Sequence, residues 1–186
     1  MHTSTTHIAV FVSGEGTTLQ ALIDRQADYK VALVVANRPC HGMERAARHG
    51  IPCLQTRDWE AIDDALHAHS IQLIVLAGFL AIVPEWICVK WQGKIINTHP
   101  SLLPKYGGKG MYGIHVQEAV LAAGETEAGC TIHYVAAGVD TGEAIAQAKV
   151  VVLADDTPDT LSKRIQAEER RLLPAVVARL AGDRDL

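Results

Sequence analysis

At 186 residues the chain is sized for one domain with a sizeable core, and its formal net charge is −4. The charges are interspersed and no basic block occurs, which argues against a nucleic-acid or anionic-membrane partner and still allows a phosphate held by backbone N–H groups. The four cysteines, Cys40, Cys53, Cys88 and Cys130, form no Cys-x-x-Cys spacing and fit reduced thiols better than a disulfide frame or a zinc site, so no metal is expected.

The polar start runs directly into an apolar segment, so no signal peptide is expected. The longest apolar stretch, Leu73 to Val83, is broken by Gly78 and is too short to span a bilayer. The expectation is a cytoplasmic protein acting on small molecules; whether it is a monomer or a homodimer stays open.

Ile8 to Val12 is a continuous apolar run, as in a strand covered on both faces. Ser13-Gly14-Glu15-Gly16-Thr17-Thr18 follows, and a helical pattern begins at Leu19. Strand, glycine turn and helix start together make an anion cradle, with Thr17 and Thr18 as added donors or caps. Leu19 stands where a dinucleotide fingerprint has its third glycine. The next strand, Val31 to Ala36, ends in Asn37-Arg38-Pro39, with no acid placed for an adenosine ribose. A terminal phosphate monoester therefore fits better than NAD, and a ligand-free turn is the alternative.

A short helix is expected over Met43 to His49, an edge strand over Ile51 to Thr56, and an amphipathic helix over Trp59 to His69. His67 and His69 do not share a helical face, so they read as a solvated pair. Ile71 to Ala77 is a further buried strand, and Gly78 to Val83 a loop at its end against which a flat ring could lie. The alternation of strands and helices predicts an α/β fold: a Rossmann-like, doubly wound, mostly parallel sheet in one domain. A short helix over Pro84 to Val89 leads to the strand that ends at Asn97.

Asn97 and His99 leave one face of that strand together, and Pro100 keeps His99 out of helix. An amide can donate to a developing oxyanion and an imidazole can move a proton. The bland alternative is a strand exit whose Asn and His cap loose backbone groups. Lys105 to Gly113 is glycine-rich loop and a candidate lid. A helix over His115 to Ala123 precedes a half-buried strand, Thr131 to Val135, whose His133 reads as a structural or surface histidine. Asp140 lies in the tight loop before Ala144 to Val152, and the pair of strands reads as an antiparallel C-terminal hairpin. Asp155 to Leu180 is helical, with Thr157-Pro158 as N-cap and N1 and with Pro174 expected to kink or break it. The last residues are expected to fray.

Taken together, Asn97-Thr98-His99-Pro100-Ser101-Leu102-Leu103-Pro104, the Val139-Asp140-x-Gly142 loop and Ser13-Gly14-Glu15-Gly16-Thr17-Thr18 resemble the formyltransferase family that uses 10-formyltetrahydrofolate. The resemblance runs from Ile8 to about Leu180 and implies a single formyltransferase domain. About 8–77 would be its phosphate-binding half and about 78–180 its folate-binding and catalytic half. It implies Asn97, His99 and Asp140 as the catalytic triad. Gly16, Thr17 and Thr18 would hold a ribotide phosphate, and Glu169 would lie near the ribotide's glycinamide end. Leu80, Ala81, Ile82 and Val83, with Asn97 and Asp140, would contact the folate. The implied partners are 10-formyltetrahydrofolate, as formyl-donor cosubstrate, and glycinamide ribonucleotide.

The sequence departs from the family at Ala81, where an arginine is common, at Thr18, where asparagine is usual, and in the longer glycine-rich stretch after Pro104. Arg57 is a candidate contact to the folate tail. The substrate amine is its own nucleophile, so Ser101 reads as a structural hydroxyl. A formyltetrahydrofolate hydrolase and a non-catalytic phosphate-ligand-binding protein are the alternatives.

Overall fold

A computed structural model describes residues 5–183. The expected fraying of the last residues falls largely on 184–186, outside the described residues. Among these residues are seven strands and six helices, in the order β1 (Thr6–Val12), α1 (Thr17–Asp24), β2 (Tyr29–Ala36), α2 (His41–Arg48), β3 (Cys53–Gln55), α3 (Trp59–Ala68), β4 (Leu73–Leu76), α4 (Glu85–Lys90), β5 (Ile95–His99), α5 (Ile114–Ala122), β6 (Glu127–Tyr134), β7 (Ala144–Val151) and α6 (Pro158–Gly182).

The sheet runs β3-β2-β1-β4-β5-β6-β7, parallel through β5 and antiparallel at β6 and β7. The chain winds outward from β1 to β3, then restarts on the other side at β4, so the sheet is doubly wound with its switch point between β1 and β4. Ligands in such sheets sit beyond the carboxyl ends of the strands at that crevice. The continuous apolar runs follow from burial on both faces. Ile8, Val10, Val12 and Val75 pack under Leu19 and Leu22 of α1 and Leu173 and Val177 of α6. Ala9, Phe11, Ile74 and Leu76 pack under Ile62 and Leu66 of α3, Ile87 of α4 and Trp91 just after it.

Two expectations fail for identifiable reasons. Strand β6 is not half-buried: Ala128 through His133 are all buried. One face meets Val116 and Val120 of α5 and Leu161 and Ile165 of α6. The other is covered by the segment after His99, where the Thr131 hydroxyl donates to Ser101 O and accepts from the Leu103 N–H. Of the kink or break expected at Pro174, the break does not occur, and α6 runs continuously from Pro158 to Gly182. Proline removes the N–H that would serve the carbonyl four residues back, and that carbonyl, of Arg170, instead accepts from Arg25 Nη1 at 2.6 Å. The α6 start behaves as read, with a Thr157–Thr160 capping box and Pro158 in the first turn. Helix α2 begins at His41, after an extended Cys40, rather than at Met43.

Candidate active site

The turn after β1 presents backbone rather than side chains. Gly16 is the N-cap of α1 in the left-handed conformation, with φ of 70° and no side-chain cap. A Cβ there would stand 2.6 Å from the Gly42 Cα, so the close approach of the turn to α2 requires glycine. Three successive carbonyls of the turn are tied to protein donors. Ser13 O accepts from Arg38 Nε at 2.7 Å, Gly14 O from the Gly42 N–H at 3.0 Å, and Glu15 O from Arg45 Nε at 2.7 Å. A peptide N–H points opposite to its own C=O. Pinning these oxygens therefore turns the following N–H groups, of Gly14, Glu15 and Gly16, the other way, beside the positive end of α1. The expected caps do not form: the Thr18 hydroxyl instead donates to Glu169 Oε1 at 3.0 Å.

Glu169 reaches this turn from α6 and is 9% exposed. Burial pushes its carboxyl up from the ordinary range, offset in part by Thr18 and by Thr98, whose hydroxyl faces it without reaching bonding geometry.

The second cluster lies at the end of β5. Leu76 pairs with Asn97 across β4 and β5, so the loop Gly78–Val83 leaves the sheet beside Asn97. Asn97 also pairs with His133 and His99 with Thr131 across β5 and β6. Directly opposed residues share a face, and that register brings His133 against the amide. His133 is 2% exposed; its Nδ1 meets Tyr134 O at 2.8 Å and its Nε2 meets Asn97 Nδ2 at 3.3 Å. A carbonyl only accepts, so Nδ1 carries the proton and Nε2 accepts from the amide. Burial pushes the His133 pKa down, which favours this neutral form. One Asn97 N–H is thus spent on orientation, and among the described residues the other has no hydrogen-bond partner.

Asp140 stands between the two histidines, with Oδ2 at 3.4 Å from His99 Nδ1 and Oδ1 at 3.6 Å from His133 Nε2. Its backbone is left-handed, with φ of 54°, a conformation Asp tolerates better than most residues. The glycine-rich stretch is rooted in the same cluster. Tyr106 O accepts from His99 Nε2 at 2.8 Å and the Gly108 N–H donates to Asp140 Oδ2 at 3.0 Å. Gly107 permits the contact, since a Cβ there would meet Leu103 Cδ2 at 2.5 Å and Asp140 Cβ at 3.5 Å.

An amide, an imidazole and a carboxylate therefore converge at the carboxyl ends of β4 and β5, against β6, on the sheet that carries the glycine turn after β1. The formyl transferase family model matches residues 6–177. The chain belongs to the formyl transferase family. The chain is 38% identical to a phosphoribosylglycinamide formyltransferase from Anaplasma phagocytophilum, whose crystal structure superposes with a TM-score of 0.91 over 97% of this chain and 89% of that one. It is 42% identical over 189 residues to the trifunctional purine biosynthetic protein adenosine-3 of Drosophila melanogaster, covering 93% of this chain and 14% of the fly protein. It is 38% identical over 192 residues to a chloroplastic phosphoribosylglycinamide formyltransferase of Arabidopsis thaliana, covering 95% of this chain and 66% of the plant protein. The chain thus spans only part of these longer relatives.

Around Asn97, His99 and Asp140 the chain exposes apolar side chains that a ligand could cover: Leu80 is 56% exposed, Ile82 79% and Val139 42%. Ala81 and Val83 of the same loop are half-buried. A cavity of about 310 Å³ lies behind this loop, lined by Asn37, Arg57, Trp59, Phe79, Leu80 and Ala81 among others. Arg57 is thus at the edge of the apolar loop, its Nε donating to Asn37 O at 3.0 Å. A larger open depression of about 660 Å³ on α4, lined by Glu85, Trp86, Val89 and Lys90, contains none of the triad. Ser101 is buried and donates to Lys105 O, a structural role. His67 is exposed beside Trp91, consistent with a solvated histidine. His133, expected to be a structural or surface histidine, is buried, which leaves the structural alternative, and sequence reasoning did not place it against Asn97. Its signal was the antiparallel pairing of the two strands, which sets it opposite Asn97. Among the described residues no group of three or more His, Cys, Asp or Glu could hold a metal ion, and no helix is long and apolar enough to cross a membrane.

Proposed function

We propose that this formyltransferase moves the formyl group of 10-formyltetrahydrofolate to the amine of 5'-phosphoribosylglycinamide in purine biosynthesis, in the cytoplasm. The observation that carries the reading is the convergence of Asn97, His99 and Asp140 at the end of β5, beside the apolar Leu80–Val83 loop and on the sheet that carries the backbone-lined turn at Gly14–Thr18. The names of the Anaplasma and Arabidopsis relatives support the same acceptor.

In this reading the ribotide phosphate lies on the N–H groups of Gly16, Thr17 and Thr18, and Glu169 borders the ribotide. Leu80, Ala81, Ile82 and Val83 take the folate ring together with Asn97 and Asp140. The first half of the domain, about 8–77, holds the phosphate, and the second, about 78–180, the folate and the chemistry.

The ribotide amine attacks the formyl carbon, forming the new C–N bond while the carbonyl electron pair moves to oxygen. The free Asn97 N–H donates to that oxyanion, with the amide held by His133. Collapse restores the carbonyl and breaks the bond to the folate nitrogen, which receives the proton lost by the amine. His99, oriented by Asp140, stands where that proton passes. No protein nucleophile and no resident metal is needed.

The test is deformylation of 10-formyl-5,8-dideazafolate followed by absorbance, with and without glycinamide ribonucleotide. Reaction only with the ribotide is the expected result. Reaction without it would indicate a hydrolase, and no reaction despite ribotide binding would indicate a binding protein.

A further inference from the structure

The turn that follows β1 and the loop that follows β4 belong to separate crossovers, yet one side chain joins them. Ser13 is 1% exposed. Its hydroxyl donates to Asn37 Oδ1 at 2.7 Å and accepts from the Leu80 N–H at 2.9 Å. With its proton given to one partner and a lone pair to the other, the hydroxyl has a single orientation. The neighbouring backbone is held as well: Ser13 O accepts from Arg38 Nε, and Asn37 O accepts from Arg57 Nε. The bond to Leu80 lies at the first residue of the proposed folate-contacting segment, and Ser13 opens the turn proposed to hold the phosphate on Gly16, Thr17 and Thr18.

We infer that Ser13 is a positioning residue that fixes the folate loop relative to the phosphate turn, and so sets the approach of formyl donor to acceptor amine. This rests on the proposed function. Ser13 touches neither substrate; its hydroxyl acts through the Leu80 backbone. Such positioning matters because a misplacement of about 1 Å in a two-substrate site can cost roughly 10²-fold in rate. Ser13→Ala leaves the Leu80 N–H and Asn37 Oδ1 without this partner, while Arg38, Gly42 and Arg45 still hold the turn carbonyls. The damage therefore falls on the placement of the formyl donor and the rate of transfer, while ribotide affinity is kept.

The experiment compares the wild type with Ser13→Ala, Ser13→Thr and Asn37→Ala. The readouts are kcat and KM for each substrate, ribotide affinity by calorimetry, and amide exchange at Leu80 by NMR. Expected for Ser13→Ala are a fall of roughly 10-fold to 100-fold in kcat/KM for the formyl donor, little change in ribotide affinity, and faster exchange at Leu80. Ser13→Thr, which keeps the hydroxyl, restores the donor kcat/KM. Asn37→Ala keeps the Leu80 contact but frees the hydroxyl, and gives a smaller loss of the same kind. A matching loss of ribotide affinity with a lowered Tm, or an unchanged donor kcat/KM, would overturn the inference. A wild type that transfers no formyl group would instead sink the functional reading, while Leu80 exchange and dideazafolate affinity would still report on the joint.

Discussion

The turn after β1 and the cluster at the end of β5 are built on opposite principles. The turn works with backbone: six consecutive residues, a left-handed Gly16, and carbonyls tied down by Arg38, Gly42 and Arg45. The cluster works with side chains drawn from separated segments, at 97, 99, 133 and 140, which only the β5–β6 register brings together. A backbone site is sensitive to what a Cβ or a changed φ would do. A side-chain site is sensitive to the loss of single atoms that meet the transition state.

The largest break in that contrast comes from the side-chain site. Asn97→Ala removes the proposed oxyanion donor from a position that is only half-buried. A loss of roughly 10²–10³ in kcat is expected, about 2.7–4 kcal/mol of barrier, with Tm nearly unchanged. Steady-state kinetics on the purified variant, read beside its thermal unfolding, check this. A kcat within a few-fold of wild type would remove Asn97 from the chemistry.

The backbone site should answer differently. Gly16→Ala forces a non-glycine residue into φ of 70° and sets a Cβ against Gly42. The left-handed conformation alone costs about 1–2 kcal/mol. The expected outcome is a raised KM for ribotide and a lowered urea midpoint, with kcat at saturating ribotide affected less. A fall in kcat alone, with ribotide KM intact, would mean that the turn does not hold the phosphate.

The same contrast explains what could be read from sequence. The turn was legible because its residues are contiguous and glycine, threonine and helix start punctuate each other. Asn97, His99 and Asp140 were legible only through the signature around them. His133 was not, because its partner lies across a strand pair and a single histidine in an apolar strand carries no local mark of its register. Pro174 misled for a related reason: the carbonyl it strands is served by Arg25, on the far side of the sequence. The covering of β6 on both faces likewise depends on where the segment after His99 folds back.

His133 offers a sharper test of how the two sites differ, through pH. Burial depresses its pKa, so the folded state resists protonation more than the unfolded chain. A depressed pKa contributes stability that is present above the unfolded value of 6.5 and is lost as pH falls below it. Protonating Nε2 also removes the acceptor that orients Asn97. The acid limb of kcat should therefore change shape in His133→Gln, whose amide can still meet Asn97, and activity should fall further in His133→Phe, which keeps a ring but no acceptor. Identical pH profiles in wild type and both variants would leave His133 a packing residue.

Glu169 carries the smallest expected effect and the opposite sign. Its folded pKa is raised by burial, so the carboxyl keeps its proton in the folded state where the unfolded chain has lost it. A raised pKa contributes stability that is fully present below the unfolded value of 4.5 and is lost as pH rises through the folded pKa. Glu169→Gln keeps the shape and cannot ionise. Urea midpoints measured from pH 4.5 upward should therefore decline less in the variant than in the wild type. The two titrations oppose each other: acid disfavours the His133 arrangement, and base disfavours the buried Glu169 that receives the Thr18 hydroxyl. If the Glu169→Gln midpoints run parallel to wild type across that range, the carboxyl is ionised in the folded protein. Thr18 and Thr98 would then outweigh its burial.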